Sequence, residues 1–531
     1  MLNLASILEN NVRENPNKIA FIYNEYSLDY MTINAMANQV ANTLVSMGVN
    51  KGDKVALMCP NLPFFPVVYF GILKAGAVAV PLNVLFRKRE VVYHLTDSES
   101  KVFFAFEGTD QLPMGQTAWE GFQEVPTCKE FIVMTAPGKP SPFPGVRTLM
   151  EVMNEHPPIF ETVQTDADDT CLIIYTSGTT GQPKGAELTN SNLVMNAQFS
   201  SKLLDIRDGD ISLICLPLFH SFGLAAQMQA TILNGGTSVL LPRFDADAVL
   251  SGFEKHGVTL WCAVPTMYWD LLNHPGLDKY DIDKIRACLR VCSSGGAAMP
   301  VELLRQFEAK FGVTILEGYG LSETSPVATF NRMDRPRKVG SIGLPIWGVE
   351  IRVVDEDLND VPIGEHGEIV IRGHNVMKGY YKRPDANAEC MRGGWFHTGD
   401  VGKIDEDGYF YVVDRTKDMI IRGGFNVYPR ELEEVLMTHP EVSLAAVIGV
   451  PHEEYGEEIK AYIVPKASSK GLTVEALYAW GKEQFAGYKY PRMYDIRAEL
   501  PLGPTGKILK KELRRQELEK IQHEKQSAMA K

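Results

Sequence analysis

A cluster of small hydroxyl residues and glycines follows a buried apolar run in the first half of the chain. It reads Tyr175-Thr-Ser-Gly-Thr-Thr-Gly-Gln-Pro-Lys184-Gly185 and comes directly after the residues CLII. Backbone N–H groups and hydroxyls in such a loop can converge on an anion, and Lys184 adds a positive charge at its rim. The segment is not a Walker A loop, because Pro183 precedes the lysine and Gly185 follows it. It predicts an anion-binding loop.

A second cluster combines an aromatic ring, flanked by glycines, with a carboxylate four residues later. It reads Glu317-Gly-Tyr319-Gly-Leu-Ser322-Glu323-Thr324. Tyr319 can lie flat against a planar base, and Glu323 can bind a hard cation such as Mg²⁺. By itself the pattern also fits a core tyrosine and a solvated helix start. It therefore indicates a site only in combination with other motifs.

Three further segments are weaker when taken singly. The turn 395–400 (WFHTGD) presents one carboxylate that is suited to a ribose diol. The stretch 414–424 (DRTKDMIIRGG) stands at a predicted domain border, and 504–507 (PTGK) forms a turn that places Lys507 near the C-terminus.

The chain between these motifs alternates strands with helices, which predicts parallel α/β sheets. Strands are predicted at 19–23, 55–59, 77–82, 171–175, 211–216, 237–241, 259–264, 288–293 and 313–316. Residues 338–413 are rich in glycine and short β-like runs, so this region is predicted to be mostly antiparallel. After Asp414, a helix at 429–438, strands near 443–450 and 458–465, and a helix from 473 predict a compact α+β unit.

Composition excludes several classes of protein. The 531 residues are 45% hydrophobic and 22% charged, which is typical of globular proteins and excludes a disordered or fibrous one. The 53 basic and 66 acidic residues give a net charge of −13, which argues against a nucleic-acid binder. The eight cysteines are scattered along the chain, and we expect them to be reduced.

The N-terminus and the uncharged stretches bear on location. The first residues carry acids and amides where a signal peptide has a basic start and an apolar run. Residues 55–73 and 211–242 lack charged side chains but are broken by proline, or by proline and glycine, so buried strand–turn–helix segments are expected rather than membrane spans. The expectation is a cytoplasmic protein without a transmembrane segment, with peripheral membrane contact and oligomeric state left open.

In this order and spacing, the motifs resemble those of the adenylate-forming (ANL) enzymes over about residues 4–514. That superfamily includes acyl-CoA synthetases, aryl-CoA ligases, adenylation domains of peptide synthetases and firefly luciferase. The resemblance implies a large N-terminal domain of stacked α/β sheets plus a small β-barrel, residues 1–413, with 338–413 as the β-rich part. A small mobile α+β domain would follow at 414–531, with a hinge at 414–418.

The resemblance also implies a two-step reaction. A carboxylate attacks the α-phosphate of ATP to give acyl-AMP and pyrophosphate, and the thiol of coenzyme A then displaces AMP. The implied partners are a small carboxylic acid, ATP and coenzyme A, with Mg²⁺ as cofactor and no nucleic acid.

Individual roles are carried over by match to the family's motifs. The catalytic candidates are Lys507, Glu323 and Lys184, and the metal would bind at Thr176 and Glu323. Tyr319 would pack on adenine, whereas Asp400 and Arg415 would bind the ribose hydroxyls. The implied nucleotide-binding set is Thr176, Ser177, Gly178, Thr179, Thr180, Gly181, Lys184, Gly295, Glu317, Gly318, Tyr319, Gly320, Ser322, Asp400, Arg415 and Lys507.

The remaining roles concern the acid, coenzyme A and the hinge. The acyl pocket would include His220, Gly295, Gly296 and Ala297. Gly423 and Gly424 would line the coenzyme A passage, where the lack of side chains permits close approach. Asp414 and Lys417 are the hinge candidates.

The acid itself is predicted to be apolar. Residues 211–242 offer Leu, Phe, Ala and Met, and no cation to pair a second carboxylate. The resemblance is strongest to bacterial fatty-acid–CoA ligases, which favours a medium- to long-chain fatty acid. An aryl (4-coumarate-like) CoA ligase and a non-catalytic nucleotide-binding regulator remain as alternatives, although the presence of Lys507 and Glu323 argues against the regulator.

Overall fold

The computed structural model describes residues 1–176, 182–415, 418–423, 425–452, 454–469 and 471–529, with Arg415 and 524–529 described in backbone only. All eight cysteines are free thiols. Among the described residues, no helix combines the length and the apolar character that crossing a membrane would require.

The N-terminal part of the chain alternates strands with helices, as predicted. Its strands are β1 (Ile19–Tyr23), β2 (Tyr26–Asp29), β3 (Lys54–Met58), β4 (Val78–Pro81), β5 (Ser100–Phe106), β6 (Glu130–Met134), β7 (Thr170–Thr176), β8 (Lys184–Thr189), β9 (Ile211–Ile214), β10 (Thr237–Leu240), β11 (Leu260–Ala263), β12 (Val291–Ser294), β13 (Thr314–Gly320), β14 (Val327–Phe330) and β15 (Leu344–Pro345). Its helices are α1 (Ser6–Glu14), α2 (Tyr30–Ser46), α3 (Phe64–Lys74), α4 (Lys88–Ser98), α5 (Met114–Gln123), α6 (Leu149–Asn154), α7 (Asn190–Leu203), α8 (Ala230–Leu233), α9 (Ala246–His256), α10 (Pro265–Leu272), α11 (Ile282–Cys288) and α12 (Val301–Phe311). A π-helical segment spans Phe222–Gln229, and short 3₁₀ turns span Leu277–Lys279 and Ser322–Thr324.

Two further regions follow. The first consists mainly of strands, and the second contains both strands and helices. The first comprises β16 (Val349–Val354), β17 (Gly367–Gly373), β18 (Gly379–Tyr380), α13 (Pro384–Cys390), β19 (Met391–Arg392), β20 (Trp395–Ile404) and β21 (Phe410–Arg415). The second comprises β22 (Ile420–Arg422), β23 (Phe425–Val427), α14 (Pro429–Leu436), β24 (Val442–His452), β25 (Gly456–Pro465), α15 (Val474–Gln484), β26 (Met493–Ile496) and α16 (Lys510–Met529).

Two large sheets form the N-terminal α/β domain. One has nine strands in the order β15-β14-β13-β12-β11-β9-β10-β1-β2, and the other has seven in the order β18-β8-β7-β4-β3-β5-β6. A shared hydrophobic core joins both sheets and includes the buried faces of α2 and α3. This position between sheets explains why residues 55–73 carry no charge.

The sheets are mixed rather than wholly parallel as predicted. Interior strands pair in parallel, whereas β8 runs antiparallel to β7. The connection from 177 to 183 is too short for the crossover that a parallel neighbour needs, so the chain can only turn back. The predicted strand at 288–293 instead begins at Val291, because α11 extends to Cys288.

The β-rich region is antiparallel, as predicted. It forms a five-stranded sheet in the order β16-β17-β20-β19, with β21 also paired to β20. The C-terminal residues form another five-stranded sheet, β23-β22-β25-β24 with β26 beside β25, and have their own hydrophobic core. The protein thus has a large N-terminal α/β domain and a smaller C-terminal α+β domain.

Candidate active site

Motif residues stand at the carboxyl ends of strands in both large sheets. Thr176 ends β7 of the seven-stranded sheet, whereas Gly295 follows β12 and Tyr319 lies near the end of β13 in the other. In α/β sheets, ligands bind beyond these ends. A hydrogen bond of 3.0 Å from Thr176 Oγ1 to Glu323 Oε1 connects the two sheets at this place.

Glu323 is buried and accepts a second hydrogen bond. The hydroxyl of Tyr380 donates to its Oε1 across 2.9 Å. Burial and the neighbouring carboxylate raise the pKa of Tyr380, so its phenol stays a donor at neutral pH. Sequence reasoning missed Tyr380, because tertiary contacts bring it to Glu323, among them a hydrogen bond of 2.8 Å from the Met377 N–H to the Glu323 carbonyl.

The oxygens of Thr176 and Glu323 fit a magnesium ion. Both are hard donors, and Mg²⁺ is usually held by one or two protein oxygens together with substrate phosphates and water. The described part of the chain contains no group of three or more His, Cys, Asp or Glu side chains placed to bind a metal.

Lys184 begins β8, opposite Thr176 in the ladder between β7 and β8. Its ammonium lies 5.2 Å from the centre of the Tyr380 ring, so Tyr380 contacts two candidate residues at once. The next residue, Gly185, must lack a side chain, because a Cβ there would lie 2.6 Å from Ile173 Cγ2. The candidates Ser177, Gly178, Thr179, Thr180 and Gly181 lie outside the described residues.

Tyr319 and Asp400 are brought together from different sheets. The Tyr319 hydroxyl donates to Asp400 Oδ2 across 2.6 Å. Asp400 is also the cross-strand partner of Arg415, on β20 and β21. The candidate adenine-stacking ring therefore meets one candidate ribose-binding residue, and the backbone of the other pairs with it in the strand ladder.

The packing of β13 against β14 explains why residues 318 and 320 are glycines. A Cβ on Gly320 would lie 1.7 Å from the carbonyl oxygen of Pro326, and one on Gly318 would lie 2.5 Å from Phe330. Their lack of side chains is thus required whether or not a nucleotide binds.

Glu317 is a buried carboxyl at the start of this motif. Its Oε2 accepts a hydrogen bond of 3.0 Å from the Gly340 N–H. Burial is the largest effect and raises the pKa of Glu317 to about 7, while the Gly340 bond and the Arg430 guanidinium oppose the rise. Because Arg430 lies on α14, a charge of the C-terminal domain affects the pKa of this carboxyl.

We expect Glu317→Gln to stabilise the protein more at about pH 8 than at about pH 5. The pKa of a raised carboxyl is higher in the folded than in the unfolded chain, so wild-type stability falls as pH rises from about 4.5 to about 7. The full loss is on the order of 3 kcal/mol, and glutamine avoids it while keeping an acceptor for Gly340. Urea unfolding at both pH values measures this difference, and a pH-independent difference would contradict it.

Lys507 lies in a small cavity with residues of the N-terminal domain. The cavity, of about 10 Å³, is lined by Leu216, Pro217, His220, Phe222, Gly223, Val264, Gly296, Thr505 and Lys507. Burial, with a smaller effect of the nearby Lys507 charge, lowers the pKa of His220 to about 3, so His220 is neutral. The lysine is then the cationic side chain of this cavity.

The turn that carries Lys507 is held against α10. The Gly503 N–H donates to the Lys507 carbonyl across 2.7 Å, which closes the turn. Thr266 Oγ1 donates to the Gly506 carbonyl across 2.6 Å. Gly506 has a φ of 76°, and a Cβ there would lie 2.9 Å from Val264, so glycine is needed at this contact.

The segment after β12 forms one side of the same cavity. Gly295 is buried, with a built Cβ 3.2 Å from the Phe222 ring, while Gly296 and Ala297 are exposed. A Cβ on Gly296 would come within 3.0 Å of Lys507 Cε. Ser322 is buried and its hydroxyl lies 3.3 Å from that of Ser221, which ties the residue next to His220 to the Tyr319 motif.

The border residues lie apart from this cavity. Asp414 lies on β21, and its Oδ2 accepts from the Arg430 N–H across 3.0 Å. Gly423 lies in the hairpin of β22 and β23, where its N–H donates to the Tyr455 carbonyl. Lys417 and Gly424 lie outside the described residues, as does the side chain of Arg415.

Comparison with known proteins assigns the family. Residues 8–381 match the family model of the AMP-binding enzymes, and residues 431–507 match the AMP-binding enzyme C-terminal domain. The chain therefore belongs to the AMP-binding, adenylate-forming enzymes.

Individual relatives are similar over nearly the whole chain. A long-chain-fatty-acid–CoA ligase of Bacillus subtilis (strain 168) is 36% identical, covering 97% of this chain and 95% of its own length. A feruloyl-CoA synthase of an Amycolatopsis species is 38% identical, covering 95% and 96%. The crystal structure of the anthranilate CoA ligase AuaEII with anthranoyl-AMP superposes with a TM-score of 0.89 at 30% identity, covering 96% of each chain. The protein is an ATP-dependent acid–thiol ligase that uses coenzyme A.

Proposed function

We propose that the protein activates a medium- to long-chain fatty acid as its acyl-AMP and then transfers the acyl group to coenzyme A. The observation that carries this proposal is the position of Lys507 beside neutral His220 and apolar walls formed by Leu216, Phe222 and Val264. One cation among apolar side chains suits an acid with a single carboxylate and an apolar tail. His220 supplies no second charge, so it would border the acyl group rather than pair with it.

The first half-reaction brings together two anions, the carboxylate of the acid and the triphosphate of ATP. The carboxylate oxygen attacks the α-phosphorus, and the bond from that phosphorus to the bridging oxygen of pyrophosphate breaks. The Lys507 ammonium would offset the combined negative charge. Chemistry at a phosphoryl group depends on positioning and charge stabilisation more than on covalent catalysis. Lys184 and the 176–181 loop would hold the β- and γ-phosphates.

Thr176 and Glu323 would hold Mg²⁺, with Tyr380 orienting the Glu323 carboxylate through its hydroxyl. The ion would supply charge neutralisation at the phosphates. Tyr319 would pack on adenine, and Asp400 with Arg415 would bind the ribose hydroxyls.

The second half-reaction would use another face of the C-terminal domain. We propose domains of 1–413 and 414–531 with a hinge at 414–418, where Asp414 or Lys417 absorbs the rotation. Gly423 and Gly424 would then line the passage for the coenzyme A thiol. We place the reaction in the cytoplasm, where ATP is present and free thiols stay reduced.

An aryl acid is the second candidate. The similarity to feruloyl-CoA synthase and to the anthranilate ligase structure favours it.

Pyrophosphate release across C2 to C18 fatty acids and a set of aryl acids, with and without coenzyme A, tests the proposal. We expect the highest kcat/KM for a medium- or long-chain fatty acid. A preference for an aryl acid would assign the second candidate instead. If no acid in the panel supports pyrophosphate release, the protein would instead be a regulator that binds nucleotide without turning it over.

We expect Tyr380→Phe to lower the kcat/KM of adenylation about five- to tenfold and to raise the Mg²⁺ concentration needed for half-maximal rate. The change removes the hydroxyl that orients Glu323 and keeps the ring beneath Lys184. Tyr381→Phe is the matched control, because its hydroxyl donates to exposed Glu99 instead. An unchanged Mg²⁺ dependence in Tyr380→Phe would contradict the orienting role.

A further inference from the structure

The two ends of the loop between β7 and β8 are attached to one helix, α4. Before the loop, the Tyr175 hydroxyl donates to Asp97 Oδ2 across 2.8 Å. After it, the Tyr93 hydroxyl donates to the carbonyl oxygen of Pro183 across 2.6 Å. Tyr93 and Asp97 are four residues apart on α4, so they share one face of the helix.

A guanidinium group joins these two attachments. Arg383 forms an ion pair with Asp97, and its Nη2 also lies 3.4 Å from the Tyr93 hydroxyl oxygen. Asp97 is 12% exposed, so the pair is largely shielded from water. Arg383 follows β18, the strand that carries Tyr380 and pairs with β8. The attachment therefore connects α4, the loop and the strand beside Glu323.

The two attaching tyrosines also pack against each other and against His94. The rings of Tyr93 and His94 both pack edge-on against Tyr175, with centroids 6.4 and 4.5 Å away. The orientation of these hydroxyls is thus set by packing as well as by hydrogen bonds.

We propose that Tyr93, Asp97 and Arg383 are positioning residues for Thr176 and Lys184, which flank the phosphate loop of this enzyme. Tyr175 immediately precedes Thr176, so its hydrogen bond to Asp97 fixes the backbone from which the Thr176 hydroxyl extends. Holding phosphate-binding side chains in place before ATP arrives reduces the conformational cost of binding. Because Pro183 immediately precedes Lys184, the Tyr93 hydrogen bond also fixes the backbone position from which the Lys184 side chain extends.

This inference rests on the proposed function only in assigning the loop to the β- and γ-phosphates. The proposed role predicts different effects on ATP binding and AMP binding, whereas general destabilisation of the protein would weaken both. ATP has those phosphates and AMP lacks them, so displacing Thr176 and Lys184 weakens ATP binding and leaves AMP binding unchanged.

The test measures ATP and AMP dissociation constants of Tyr93→Phe by calorimetry, with Mg²⁺ present and without any acid. We expect ATP to bind about five- to tenfold more weakly, and AMP to bind within twofold of wild type. In steady-state adenylation, the KM for ATP should rise by a similar factor while the KM for the acid stays unchanged. Because binding is measured without acid, a wrong choice of acid does not affect this readout.

Tyr381→Phe is the matched control, because it removes the same hydroxyl two residues before Arg383 from a tyrosine that bonds Glu99. It should leave both dissociation constants unchanged. Arg383→Gln is a second variant at a partly exposed site, chosen in case Tyr93→Phe unfolds, and it should also weaken ATP alone. Equal weakening of ATP and AMP, or no weakening of either, would overturn the proposal.

Discussion

Lys507→Ala is expected to reduce acyl-AMP formation by about 10²- to 10³-fold, which corresponds to ~3 kcal/mol of transition-state stabilisation. The ammonium lies in the cavity beside His220 and Gly296, where the attacking carboxylate and the ATP phosphates would meet. Removing it leaves the repulsion between those anions uncompensated. Acid-dependent pyrophosphate release measures the loss.

The same variant should capture pre-made acyl-AMP with coenzyme A at a near-normal rate. In this structure Gly423 and Lys507 lie on different parts of the C-terminal domain, and Lys507 is the one that lines the cavity. If thioester formation from synthetic acyl-AMP fails alongside adenylation, Lys507 does not act specifically in the first step. Lys510→Ala is the control, since that nearby ammonium pairs with Glu433 within the C-terminal domain.

Lys184→Ala is expected to be milder than Lys507→Ala, because the backbone and hydroxyl donors of the loop remain. An equally severe loss at Lys184 would reverse the order of importance that we assign to the two lysines.

Glu323→Gln is expected to lower adenylation by roughly 10- to 100-fold and to raise the Mg²⁺ requirement. The substitution is nearly isosteric, and its amide oxygen can still accept from the hydroxyls of Thr176 and Tyr380. Only the charge is lost from the proposed metal site, so the fold should be kept. A titration of pyrophosphate release against Mg²⁺ measures the effect.

The control for this variant is Glu99→Gln, the same chemical change at an exposed glutamate that pairs with Lys382. It should leave the Mg²⁺ titration unchanged. If Glu323→Gln retains magnesium-dependent activity near the wild-type level, Glu323 is not the ligand, and Thr176 alone would remain from the proposed pair.

Much of the fold was predictable from apolar runs and breakers. Strand β1 lies at Ile19–Tyr23, as predicted, and α14 begins at Pro429, where proline at the first helical position favours a start. The antiparallel turn of β8 was not predicted, because alternation of strands and helices says nothing about a strand that returns after a short loop.

The candidate site was predictable only where chemistry is encoded locally. Glycines, hydroxyls and lysine in 175–185, and the Tyr319-to-Glu323 spacing, are motifs that a few consecutive residues define. Tyr380 and Tyr93 were missed, because a tyrosine within an ordinary strand or helix carries no such signal. Tyr380 and Glu323 are far apart in sequence, and packing of the segment around Met377 against Glu323 brings them together.

Local motifs were enough to predict the family, the order of the domains and the candidate phosphate-binding residues, because such motifs lie in short segments whose backbone must approach a ligand closely. The side chains that hold those segments in place come from distant parts of the chain and follow from tertiary packing. This packing brought Tyr319 to Asp400, Tyr93 to Pro183, and Lys507 to His220. Hydrogen bonds and burial act over a few ångströms between residues far apart in the chain, so they are set by packing rather than by sequence spacing.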